Sequence, residues 1–411
     1  MKRMVLALLG LGIGAAGALA GDWPQWMGPG RDGHAAADEA PAKWRFPERE
    51  GAAWRVAVGT GFSSPIVVGD RLIYADAEGG SEVVHCADAR TGKEIWKRPY
   101  AAVFGDEWGA GPRATPFSDG ERLYVQSCDG RFLCLSLEDG ATLWQVDFHT
   151  DYGVVFLGSK VLEGTARRRG NNGSGVVAGE AVIVPVGSAA GATLVAFDRK
   201  TGRELWKMGN EEAAYAPLGI GRVADRQVAL GFMADSLMAV DAADGRQLWR
   251  APLVTKAKRH AAMPLVAEGL ALVNSHTFGL KAWKLDGGSP TPVWSNDQLK
   301  INLATQVVVD GAIYSQGPGR DYICADLKTG RTRWTAPGFG REYSATIAVG
   351  GRLIVLTDQG ELVVLEANPA KAVELHRTQI CGKNWNYPAV AHGMLYIRDQ
   401  RDLAAYPLSA N

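Results

Sequence analysis

Short clusters of basic and aromatic side chains stand immediately before a series of strand-like stretches. Arg113, Arg169, Arg259, Lys300, Arg341 and Lys383 supply the cations, with Tyr343 and Trp385 among the aromatics. Guanidinium groups bind carboxylates and phosphates through paired N–H donors, and flat rings stack on other flat surfaces. The set points to an anionic small ligand, because Glu212 and Glu342 oppose the charge only in part. His260, beside Lys258 and Arg259, is the candidate for a base of lowered pKa, against the plainer reading of a surface histidine. His85, His276, His376 and His392 follow neither an HxH nor an HExxH spacing, so no metal site is expected. No GxSxG or Cys-x-x-Cys pattern occurs, and no catalytic residue is assigned.

The elements that must position these residues repeat. The stretch Cys86-Ala87-Asp88-Ala89-Arg90-Thr91-Gly92-Lys93-Glu94-Ile95-Trp96 reads as strand, tight turn closed by Gly, then strand with an indole at a fixed offset. It recurs at 134–144, 196–206, 239–249 and 324–334, with a stretched copy ending at Trp294. The indoles are Trp54, Trp96, Trp144, Trp206, Trp249, Trp294 and Trp334, with Leu375 at the eighth place. Most gaps are roughly 40 to 48 residues, the length of a four-stranded propeller blade. A two-sheet sandwich gives no reason for so regular a period.

The reading is an all-β, eight-bladed propeller of four-stranded blades, with seven blades as the alternative if the Leu375 blade is degenerate. Trp54 begins a strand with no earlier partner, and 394–406 forms a hairpin with no following Trp strand. Pairing the N-terminal strand with the C-terminal blade closes the ring and leaves no open interface.

Lys+Arg 44 balance Asp+Glu 44, so nothing in the charge points to nucleic acid. Residues 1–20 carry a charged start, a short apolar run and a small-residue end, expected of an export signal cleaved near Ala20-Gly21. Gly12 to Gly17 spells GxGxxG inside that run, with no strand before it, and is discarded as a dinucleotide site. Residues 21–50 form an arm rich in Trp, Pro and Gly, laid against one end of the propeller of 51–411. Stacking of Trp23 and Trp26 on a ligand is a second role open to it. The longer gap before Trp206 holds an insertion at about 149–174. The five Cys are expected as free thiols, three of them at one equivalent blade position. The chain is expected in the periplasm or secreted, monomeric and without a transmembrane span.

The repeats, AxDxxTGxxxW in near-complete copies at 86–96, 196–206, 239–249 and 324–334, resemble PQQ-like propeller repeats of exported bacterial proteins. The opening WPQWMGPGRDG and the stretch 111–116 resemble the same group. That resemblance implies one of two functions. One is a non-catalytic BamB-like scaffold meeting proteins or extended peptide segments, with no cofactor. The other is a quinoprotein dehydrogenase of alcohols or sugars, binding PQQ and Ca²⁺. The enzyme branch carries an adjacent Cys pair, which this sequence lacks, and its base and cation ligands match no positions here. A carbohydrate-binding propeller is a third reading.

Overall fold

The computed structural model describes residues 21–106, 108–154 and 170–410. The expected signal at 1–20 and Arg169 lie outside them. Eight antiparallel sheets of four strands account for nearly all regular structure. Blade 1 spans 66–102, blade 2 117–147, blade 3 176–208, blade 4 219–252, blade 5 265–296, blade 6 307–337 and blade 7 344–379. Blade 8 takes three strands from 389–407 and its outer strand from Trp54–Ala57. Trp54 pairs with Ala405 and Ala57 with Asp402, so the two ends of the chain close the ring as expected.

Sequence dictates how blades lock together. Each repeated turn places Gly at φ near +70°, a backbone state that L side chains rarely adopt. The glycine also leaves room for the indole of the preceding blade. A Cβ on Gly92 would stand 2.6 Å from Trp54, and one on Gly140 2.6 Å from Trp96. The indole N–H then donates to the carbonyl three residues before that glycine. Trp54 reaches Ala89 O at 3.1 Å, Trp96 Leu137 O at 3.2 Å, and Trp144 Arg199 O at 3.2 Å. Trp206 and Trp294 repeat the bond to Ala242 and Leu327, and Trp334 donates to Asn368 O although Lys371 stands where the glycine would be. Trp249 departs from the pattern. It faces the stretched copy, where Gly287 packs near Val223 instead, and its buried Nε1 has no partner.

The eighth indole position is His376, not Leu375. In blades 1, 2, 3 and 6 the Trp pairs with the third-strand residue just before a bulge, as in Cys86 with Trp96 and Cys324 with Trp334. In blade 7 the residue so paired is His376, opposite Val364, and Leu375 is the bulged residue. A shift of one residue turns a side chain to the other face. His376 stacks on Phe46 of the N-terminal segment, with ring centroids 5.2 Å apart and planes 7° apart.

All five cysteines are buried and unbridged. Cys86, Cys134 and Cys324 each pair with a blade indole, which confirms their equivalence. Burial pushes the Cys381 thiol up to about 12, so it is an inert filler.

Candidate functional site

The innermost strand of each blade has one edge facing the ring axis, with N–H and C=O groups that no strand covers. The molecule treats the two ends of that axis differently. At one end, residues 21–39 satisfy the edges. Trp23 exchanges two 2.9 Å backbone bonds with Val67 of blade 1, and Pro24 O accepts from Ser118 N of blade 2 at 2.9 Å. Gly33 and Ala35 bracket Ala348 of blade 7, and His34 Nε2 meets Val308 O of blade 6 at 2.8 Å. Arg31, 2% exposed, reaches up between blades 3 and 4. Its Nε donates to Leu218 O at 2.9 Å and its Nη1 to Gly175 O at 3.2 Å. Burial pushes its pKa down to about 9, so it stays charged at neutral pH. The arm is a floor across the channel.

The opposite end is a mouth, held by a girdle of hydroxyls. Ser64 N donates to Thr115 Oγ1 and Thr115 N to Ser174 Oγ, each at 3.0 Å. Tyr387 N donates to Ser64 Oγ at 2.9 Å, and Thr305 N to the Tyr387 hydroxyl at 2.9 Å. Above the girdle opens a cavity of about 410 Å³. Its walls come from successive blades: Arg113 (before blade 2), Asn172 (blade 3), Tyr215 (blade 4), Arg259 (blade 5), Asn302 (blade 6), Glu342 (blade 7) and Trp385 (blade 8). A smaller cavity of about 150 Å³ continues below, lined in part by Phe62, Tyr343 and, from the floor, Trp26. Mouth and floor together make a blind cup.

Two short paired strands not foreseen from sequence, 105–106 and 109–110, overhang the rim. They bring Trp108, 49% exposed, to 5.2 Å from the Trp385 ring. Arg113 fixes them, donating to Asp106 Oδ1 at 2.8 Å and to Gly109 O at 2.7 Å while lying 4.2 Å over Phe62. Asp106 and His276 complete the wall, and both escaped sequence reading. A strand pair inserted between two repeats has no counterpart in the other blades to reveal it. Trp108 followed by Gly109 was the available signal.

Of the residues proposed from sequence, Arg113, Arg259 and Trp385 line the upper cavity and Tyr343 the lower. Lys300, Arg341 and Lys383 are exposed and line neither. His260 is neither in the cup nor at the surface. It is 2% exposed, stacked on Phe232 at 4.0 Å, and burial lowers its pKa to about 4. Behind the wall, burial raises the Glu82 carboxyl to about 7, and its Oε1 accepts from Phe104 N at 3.4 Å. Among the described lining residues, Asp106 and Glu342 balance Arg113 and Arg259. No three carboxylate, His or Cys side chains among the described residues group as metal ligands.

The family model described as "Outer membrane protein assembly factor BamB" matches residues 46–188 and 190–404. The chain belongs to this family. A BamB of Yersinia pestis is 23% identical over 324 residues, covering 74% of this chain and 76% of that protein. A quinohemoprotein alcohol dehydrogenase of Pseudomonas putida is 27% identical over 238 residues, covering 50% of this chain and 30% of the enzyme. Among solved structures, BamB of Moraxella catarrhalis superposes with TM-score 0.57 at 14% identity, over 86% of this chain and 98% of that one. At that identity the likeness shows the fold alone.

Proposed function

We propose that this chain is an exported propeller that binds rather than catalyses, holding protein or extended peptide segments in the bacterial cell envelope as a monomer. Membership of the BamB family along nearly the whole ring carries the reading. Two further observations support it. Of the two carboxylates on the cup wall Asp106 is already tied to Arg113, which leaves Glu342 and the amides of Asn172 and Asn302 for a hard cation that takes six to eight oxygens. No helix among the described residues is long and apolar enough to cross a membrane.

The second reading is a PQQ-dependent dehydrogenase, favoured by the Pseudomonas putida relative and by the indole pair at the mouth. One experiment separates the two. The full chain is mixed with PQQ and Ca²⁺, then assayed for bound quinone absorbance and alcohol-dependent dye reduction. In parallel, labelled unfolded β-barrel peptides are titrated by fluorescence anisotropy. Saturable peptide binding without quinone turnover is expected. Turnover would overturn the non-catalytic reading, and the absence of any peptide binding would overturn the scaffold role.

A further inference from the structure

We propose that the blind cup is a saccharide-binding site, taking the end of a neutral mono- or disaccharide. The proposal is independent of the scaffold reading, because it rests on the cup wall alone. Its volume of about 410 Å³ falls within the range of small-ligand pockets, about 300–1,000 Å³.

Three features select the ligand. First, charge: Arg113 is already paired with Asp106, and Arg259 faces a wall that also holds Glu342, so the described lining offers an anion no excess of positive charge. Second, polar side chains: Asn172, Tyr215, Arg259, Asn302 and Glu342 line the cup and supply both donors and acceptors. A hydroxyl both donates and accepts, so a polyol ring serves both kinds. Third, indole faces: Trp108 and Trp385, packed on each other at 5.2 Å and 47°, both line the cup, and aromatic faces attract C–H groups of a pyranose.

A peptide strand fits the cup less well. Strand addition needs a free backbone edge. The segments that lead into the blades already spend their amides on the girdle hydroxyls, as Ser64, Thr115, Thr305 and Tyr387 do.

The test uses the full chain in calorimetric and tryptophan-fluorescence titrations with cellobiose, maltose and N,N′-diacetylchitobiose, with citrate and phosphate as anionic probes. Saturable binding of at least one sugar is expected. Trp108→Ala and Asn172→Ala should each weaken it about tenfold, some ~1.4 kcal/mol. Val293→Ala, on the exposed outer strand of blade 5, should leave it unchanged. No saturation by any of the three sugars, with circular dichroism showing a folded chain, would refute the site. So would tighter binding of citrate or phosphate than of sugar, or sugar binding insensitive to both substitutions. Peptide binding retained in Trp108→Ala would show that failure here and failure of the scaffold reading are separate.

Discussion

The floor and the mouth of the channel start from the same problem, the bare inner edges of eight repeated sheets. At the floor a foreign segment covers the edges. Trp23 is 1% exposed, Met27 fully buried, and Arg31 finds three carbonyl bonds to two residues. At the mouth the repeats bond one another through hydroxyls and leave polar and aromatic side chains lining a cavity. One end is covered by a segment of the chain and the other stays open. A mixed polar and aromatic lining, rather than conspicuous charge, is what marks the end open to a ligand.

That contrast breaks most readily at Trp23. Trp23→Ala should cost about 3–5 kcal/mol, read from the urea midpoint at constant slope. Loss below about 1 kcal/mol would mean that the arm merely rests on the ring. Arg31→Ala, which leaves the Leu218 and Gly175 carbonyls without their donor, should cost about 2–3 kcal/mol in the same assay.

The packing behind the mouth should report through pH. Glu82 has its folded pKa raised to about 7 from 4.5, so its contribution is present below 4.5 and lost as pH rises toward 7. His260 has its folded pKa lowered to about 4 from 6.5, so its contribution is present above 6.5 and lost as pH falls toward 4. Glu82→Gln should therefore stabilise the chain at pH 8 by on the order of 2 kcal/mol and do little at pH 4. His260→Phe should flatten the acid side of the stability profile and leave pH 8 nearly untouched. Chemical denaturation across pH 4 to 8 checks both signs. The smallest effect is expected at the rim, where Trp108→Ala should change stability by less than about 0.5 kcal/mol. A large loss there would place Trp108 with the floor residues and erase the distinction.

The ring was legible because its signal is periodic. Trp and Gly recur at fixed offset for a steric reason, one filling the space the other vacates, and strand 54–57 was identified by having no partner of its own. What escaped was whatever broke the period. The bulge before each indole hid that His376, rather than Leu375, takes the eighth place. The paired strands 105–106 and 109–110 were invisible as a repeat, and with them went the Asp106 partner that neutralises Arg113. The mouth therefore read as more basic than its described lining is. His260 read as a surface group because its stacking partner, Phe232, lies on a different strand whose approach the local sequence does not encode. Two of the arm's features, burial and an indole facing the cavity, followed from its composition, while its course across the axis did not.

The seam in blade 8 has a kinetic consequence. Strand 54–57 needs 402–405, Glu39 holds the amides of His392 and Gly393, and Arg45 N bonds Leu408 O. Glu39 and His392 stand 353 residues apart, and the other pairs are similarly distant. The segment 39–57 must wait, unpaired, until 392–408 has been made, and contacts of such sequence separation make folding slow and the waiting edges prone to aggregation. Closure thus comes late, and removing 402–408 should undo structure at 45–57.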